Sequence, residues 1–385
     1  MSSQSGPASS LAPAATTGGW AGARPAPEID VEVSATEARA ALTHLLQTVP
    51  GPDDEAHGRA SAHLARLASP PGALGHLAQL SLDLACLTGH PPPVPSRVAE
   101  LMTTGDHGVV RHDVTPSGPG ATHRLVAAVL AGRAGSSAAA RAVGARLCVL
   151  DVGLAQPLPP HPALLRAPVV RGTADLRTAD AMTVEDARRA LVLGARAATG
   201  LIDEGTDLLV LGHLGVGAAA ASEALVAAYT GIAPEYVTAR PVDGGADVVA
   251  RRREVIRDAV KRVGLRSPLR TLAALGGTEH AALVGAMLAA AGRRVPVVLD
   301  GLTDTTAAMA AIGLAPDVGV ALLLGNLSPE PAARLAVGHL GLRPLLDLDV
   351  GLGDGTGGLL AVPLLVTAAR LLHDVATLDE IGLRT

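Results

Sequence analysis

Phenylalanine is absent from the 385 residues, and the chain has only one Trp, two Tyr and two Cys. A core without large rings must be closed by Leu, Val and Ala. Hydrophobic residues make up 48% of the chain, much of it alanine, which suits closely packed helices on a layered α/β scaffold. Scarce aromatics and a net charge of −5 leave no basic patch with interleaved rings, so nucleic acid is not an expected partner. Two cysteines cannot build a disulfide framework. Cys86 and Cys148 fall in apolar patterns and read as buried thiols, as suits a reducing compartment. The start of the chain lacks a basic segment followed by an apolar one, so no secretory signal is expected. The longest apolar run, 281–292, is too short to span a bilayer. Together these absences point to a soluble cytoplasmic protein with no membrane contact.

Residues 1–27, rich in Ser, Ala, Pro and Gly, read as a disordered lead. Helical spacing follows over 29–67, broken by Pro50-Gly51-Pro52, and Ser69-Pro70-Pro71-Gly72 opens a helix over 73–87. From residue 98, short apolar runs alternate with Ala-rich helical stretches. Strands are expected over 98–102, 147–152, 208–211, 295–299 and 319–324. Helices are expected over 122–130, 184–203, 218–230, 250–263, 279–291, 305–312, 330–340 and 359–375. Continuous apolar strands separated by helices indicate a parallel sheet covered on both faces, with ligands at the carboxyl ends of its strands.

The chemistry-bearing stretches are glycine loops. Gly351-Leu352-Gly353-Asp354-Gly355-Thr356-Gly357-Gly358 holds one carboxylate among five glycines, which permit positive φ and close approach of backbone to ligand. Asp354 there is either a reactive acid or an N-cap for the next helix. Thr104-Gly105-Asp106-His107-Gly108-Val109 follows a strand; Asp106 and His107 suit a general base with its orienting acid, half a metal site, or a strand-end turn. Gly212-His213-Leu214-Gly215-Val216-Gly217, between strand and helix, suits phosphate held by loop amides and the positive helix end, or tight βα packing. Arg251-Arg252-Arg253 is a solvated helix face or an anion grip. Ser328-Pro329-Glu330-Pro331 is a good helix start.

In their order along the chain, these motifs resemble the nicotinate-nucleotide–dimethylbenzimidazole phosphoribosyltransferase family of cobalamin biosynthesis, over about residues 70–383. Gly-Asp-His-Gly-Val matches at 105–109. The three glycines of Gly-Glu-Met-Gly-Ile-Gly match at 212, 215 and 217, with His213 in place of Glu and Ala218-Ala219-Ala220 in place of Asn-Thr-Thr. Arg252 stands at a phosphate-contacting Lys, and Pro241-Val242-Asp243 replaces Gly-Thr-Gly. Ser328, Glu330 and Pro331 match, while Asn326 and Ala333 replace two histidines. Asp354 stands at the catalytic Glu of a Leu-Gly-Glu-Gly-Thr-Gly loop. Gly172-Thr173-Ala174-Asp175, Gly276-Gly277-Thr278-Glu279 and Leu299-Asp300-Gly301 are further matches, Thr278 replacing Phe.

The resemblance implies a doubly wound, Rossmann-like parallel sheet over 98–358. A small helical domain would form from 68–97 and 359–385, and residues 1–67 would be an extension dispensable for folding. It implies a homodimer that transfers phosphoribose from nicotinate mononucleotide to 5,6-dimethylbenzimidazole or a related base. Asp354 would be the base. Gly212, His213, Gly215, Gly217, Arg252, Ser328, Gly353 and Gly355 would hold the nucleotide, and Asp106 and His107 would border the pocket for the ring. No metal or redox cofactor is implied. The replaced motif residues fit two other readings: a binding protein that kept the pocket without the reaction, and a transferase for a different base.

Overall fold

The computed structural model describes residues 25–118, 120–238 and 245–383. Most of the expected disordered lead, and Pro241-Val242-Asp243, lie outside the described residues. Six strands, β1 (Val98–Gly105), β2 (Arg146–Gly153), β3 (Leu164–Arg166), β4 (Leu208–Leu214), β5 (Val297–Leu299) and β6 (Leu322–Leu324), form one sheet in the order β3-β2-β1-β4-β5-β6. Every strand pair is parallel. The helices among the described residues are α1 (Ala35–Thr48), α2 (Asp54–Leu64), α3 (His76–Thr88), α4 (Ala121–Leu130), α5 (Gly135–Val143), α6 (Val184–Asp203), α7 (Ala218–Thr230), α8 (Pro234–Val237), α9 (Ala246–Val263), α10 (Pro268–Leu275), α11 (Thr278–Gly292), α12 (Leu302–Leu314), α13 (Pro331–Leu340) and α14 (Thr356–Asp374).

Side chains alternate across each strand, so the sheet feeds two cores. Leu209 and Leu211 of β4 join a layer built from α6, α7, α10, α11 and α12. Leu208 and Val210 join the opposite layer with Leu80 and Leu84 of α3, Ala139 and Ala140 of α5, and Leu359, Val362 and Leu365 of α14. Small residues take the place of missing rings. Where α6 crosses α11, a Cβ on Gly194 would lie 1.9 Å from the Ala282 carbonyl oxygen, and one on Gly285 would lie 1.8 Å from that of Leu191. The helix backbones touch, and close packing replaces aromatic bulk.

Four strand expectations place the sheet well; the fifth, 319–324, is corrected in part. Residues Pro316–Ala321 form a 3-10 turn started by proline, and only Leu322–Leu324 pairs. Strand β3 and helices α5, α8 and α10 lie outside the expected elements, and each is short. Helix α3 begins later than expected, after Gly75 at φ 52°.

Residues 25–67 pack on the rest of the chain, which argues against the expectation that this segment is dispensable. Ser34 caps α1 by accepting from the Glu37 amide, and α1 buries Ala38 and Leu42. Arg196 of α6 donates to the carbonyls of Asp30 and Glu32, at 2.6 and 3.0 Å. Leu67 bridges Thr377, and the Ala68 amide donates to the Ala376 carbonyl at 2.8 Å.

Among the described residues one helix, α14, is long and apolar enough to cross a bilayer by length and composition. It packs against α3 and α5, and half of its apolar window is buried, as in a core helix.

Candidate functional site

Chain order reverses between β1 and β4, so the connections leave these neighbours in opposite directions and open a crevice at their carboxyl ends. Two cavities lie there. The first, about 320 Å³ and mostly apolar, is lined by Asp106, His107, Gly108, Val110, Arg111, His123, Gln156, Arg171 and Thr173, among others. The second, about 200 Å³ and mostly polar, is lined by His213, Gly215, Gly217, Arg252, Thr303, Ser328, Glu330, Leu352 and Gly353, among others. Val216 lines both, so the cavities are neighbours across one residue.

Apart from Gly212, Gly355 and Asp354, the expected residues are brought to the walls of these two cavities. The Asp106–His107 pair is in the wall of the first cavity, and most of the expected nucleotide-binding residues are in the second. The glycine loop after β4 ends on Gly217, at φ 97°, and its amides lead into α7 as an anion-holding helix start would. Arg252 reaches the second cavity from α9 while 5% exposed. Its Nε donates to the Val114 carbonyl at 2.8 Å, and Nη1 meets Glu223 at 3.4 Å. Ser328 hydrogen-bonds Glu330 beside it.

Gly212 and Gly355 lie outside both linings. A Cβ on Gly212 would stand 2.6 Å from the Gly355 amide nitrogen, so this glycine lets β4 pass under the 351–358 loop. At this position the close-packing alternative is the one observed.

Asp354 is 6% exposed and lines neither cavity, although Leu352 and Gly353 line the second. The Ser136 amide at the start of α5 donates to its Oδ2 at 3.1 Å. The Thr356 amide and hydroxyl donate to Oδ1 at 3.2 and 2.5 Å. The carboxylate therefore caps two helices. Oδ1 accepts twice and Oδ2 once, so Oδ2 keeps a lone pair that can accept a proton.

Under this loop lie three more buried acids, Glu100, Asp300 and Asp304. Among the described residues neither Glu100 oxygen has a hydrogen-bond partner, and a Cβ on Gly355 would be 2.5 Å from Oε1. Burial, then the charges of Asp354, Asp300 and Asp304, push the Glu100 carboxyl well above its ordinary value. Burial, then Asp304 and Asp354, push Asp300 up to about 8, and burial pushes Asp304 up to about 7. Acids with raised folded-state values add stability that is complete below their unfolded value near 4 and is lost as pH rises through the folded value. The melting temperature is therefore expected to fall as pH rises from about 4 to about 8, and to level off above the folded values of Asp304 and Asp300. Asp304→Asn should flatten that slope, as checked by calorimetry across the window. A parallel slope in the variant would show that Asp304 does not titrate there.

His107 is not oriented by its neighbour. Asp106 turns away and accepts from the Ala155 amide at 2.9 Å. His107 Nε2 instead meets Glu279 of α11 at 2.8 Å, and His280 Nδ1 meets the same Glu279 oxygen at 2.6 Å. Burial opposes charge on His107, but Glu279 outweighs it and raises the imidazole above its ordinary value. Burial likewise opposes the Glu279 charge, and the two histidines overcome it and hold the carboxyl well below the usual range. These three residues are also the set whose donor atoms lie within 4.8 Å of one another. At 2.6–2.8 Å they are hydrogen-bonded to each other, which describes shared protons rather than a vacant ion site.

Sequence reading missed Glu100, Ser222, His280 and Thr303. Only Glu100 left a signal, as an acid inside an apolar strand run. The others look like ordinary polar residues of Ala-rich helices.

A doubly wound α/β fold with two adjoining cavities at its switch point, one of them beside a glycine loop that opens a helix, has the layout of proteins that handle nucleotides. The family model described as "Phosphoribosyltransferase" matches residues 49–383. The chain is 42% identical over 347 residues to the nicotinate-nucleotide–dimethylbenzimidazole phosphoribosyltransferase of Salinispora tropica, spanning 86% of this chain and 95% of that one. It is 40% identical to the Deinococcus radiodurans protein of the same name, spanning 88% and 95%. The crystal structure of the Thermus thermophilus enzyme of that name superposes with a TM-score of 0.83 at 41% identity, covering 86% of this chain and 99% of that one. The chain belongs to the nicotinate-nucleotide–dimethylbenzimidazole phosphoribosyltransferase family.

Proposed function

We propose that the protein transfers phosphoribose from nicotinate mononucleotide to 5,6-dimethylbenzimidazole or a related base. The products are nicotinate and α-ribazole phosphate, for the lower ligand of cobalamin. The observation that carries this reading is the pair of cavities sharing Val216: a mostly apolar one for a ring, and a polar one with a glycine loop and a buried arginine for a phosphate. The pyridinium nitrogen of the donor takes the electron pair of its bond to C1′ and leaves uncharged at nitrogen, needing no proton. One ring nitrogen of the incoming base attacks C1′ from the opposite face, and the other gives up its proton. Asp354 takes that proton in this scheme. Loop amides and Arg252 hold phosphate, and the Asp106–His107 loop borders the ring. Much of the acceleration then comes from holding the two substrates in line.

The same reading carries a homodimer and a cytoplasmic setting. Leu348, Leu352 and Leu360 leave apolar surface, with Leu352 in the wall of the second cavity, as a partner subunit would cover. It also carries a small helical unit of residues 68–97 and 359–385 beside the α/β unit, supported by the packing of α3 on α14.

The test is purified protein with nicotinate mononucleotide and dimethylbenzimidazole, followed by chromatography. The expected outcome is nicotinate and ribazole phosphate in equal amounts. Saturable nucleotide binding without nicotinate release, across a panel of bases, would replace the transferase reading with that of a binding protein.

A further inference from the structure

The walls of the two cavities are joined by one buried chain of hydrogen bonds. It starts at His107, in the wall of the first cavity, and runs through Glu279 to His280. His280 Nε2 meets Ser222 Oγ at 2.9 Å, and Ser222 Oγ meets Thr303 Oγ1 at 3.2 Å. Thr303 Oγ1 meets His213 Nε2 at 3.0 Å, and His213 Nδ1 meets the Gly353 carbonyl at 3.1 Å. The last three residues line the second cavity. Glu279, His280 and Ser222 are 0% exposed and Thr303 is 1% exposed.

The direction of the bonds at His213 follows from their ends. A carbonyl only accepts, so His213 Nδ1 carries a hydrogen. Burial, then the neighbouring His280, push His213 down to about 4, so the ring is neutral and Nε2 is bare. Thr303 therefore donates to His213, and Ser222 Oγ links Thr303 to His280 Nε2. His280 Nδ1 donates to the Glu279 carboxylate. The Gly277 amide also approaches that nitrogen at 3.2 Å, and the 2.6 Å carboxylate contact decides its state. The Gly353 carbonyl on one side and the Thr303 hydroxyl on the other fix one tautomer of His213. The Gly353 carbonyl then accepts twice, from the His213 side chain and from the His213 amide at 2.9 Å. Apolar residues would fill this space with less desolvation, so a polar chain ending at both cavities serves placement rather than bulk.

We propose that Ser222 and Thr303 are positioning residues: through His213 they hold the Gly353 carbonyl, and with it the loop carrying Asp354, at a set place on the nucleotide cavity wall. The inference deepens the transferase reading and rests on it for its kinetic consequence. Thr303→Val keeps shape and removes the donor to His213. It should lower kcat by about 10- to 100-fold, the range for a displaced reacting group, while KM for nicotinate mononucleotide changes less than about threefold. Thr303→Ser restores the hydroxyl and should return kcat to near the parent.

Two readouts are independent of turnover. With labelled histidine, the His213 resonance, identified by its loss in His213→Gln, should report the Nδ1–H tautomer in the parent and in Thr303→Ser but not in Thr303→Val. The His213 amide should exchange faster in Thr303→Val. Ser222→Ala should act in the same direction and carries the test if Thr303→Val does not fold. Parent kcat, tautomer and exchange in a folded Thr303→Val or Ser222→Ala variant would overturn the proposal. A parent without turnover would sink the transferase reading, while the tautomer and exchange measurements would still decide whether the chain holds the loop.

Discussion

Asp354→Asn is expected to slow nicotinate release by at least about 100-fold, the lower end of what a positioned general base contributes, while nicotinate mononucleotide still binds. The reason is local. Asn retains the shape of Asp but has one acceptor oxygen and one amide donor. It cannot take the proton of the incoming base, and its NH₂ must face either the Ser136 amide or the Thr356 amide, both of which donate to Asp354. A lower melting temperature should accompany the lost rate, and calorimetric titration with the nucleotide separates the two effects. The longer Asp354→Glu arm should not restore a faster rate. The loop is built around the shorter acid, with both oxygens already in contact with two helix starts, and an added methylene displaces them. Turnover of Asp354→Asn at the parent rate would remove Asp354 from the role of base and leave it as a double cap.

A chain beginning at Ser69 should be markedly less stable than the full chain. It loses α1 and α2 and uncovers the faces of α6, α11 and α3 on which they pack. Leu42 and Leu67 alone, 7% and 1% exposed, correspond to roughly 3–6 kcal/mol of burial at about 1.5–3 kcal/mol each. For a chain of this size that is a fall in melting temperature of about 4–7 °C. The bridge between Leu67 and Thr377 is lost as well, freeing the chain that follows α14. Scanning calorimetry of both chains is the check, and equal melting temperatures would restore the reading of the segment as dispensable.

The sequence by itself determined the layers, the order of the main elements and the position of the glycine loops at strand ends. Those features are local: an apolar run of β-branched residues and Leu, a helical period and a glycine loop each declare themselves within a few residues. The expected helices at 184–203 and 218–230 coincide with α6 and α7 for that reason. The family resemblance rested on the same local signals, and it extended to Asp354, Arg252 and the Gly212–Gly217 loop.

Tertiary structure alone decided which side chains meet. Adjacent residues in extended backbone point to opposite sides, so Asp106 could not orient His107, and an acid 172 positions away does. Ser222, His280 and Thr303 stand on three helices, and nothing in their own stretches marks them. They become a chain only where α7, α11 and α12 converge at the carboxyl ends of the strands. The carboxyl nest under the Asp354 loop has the same origin. Glu100 sits on β1 and Asp300 follows β5, and parallel pairing through β4 brings them beneath one loop. Hydrophobic periodicity specifies the face a residue lies on. Which polar groups share a buried space depends on the crossing of distant elements, and that is fixed by packing over the whole sheet.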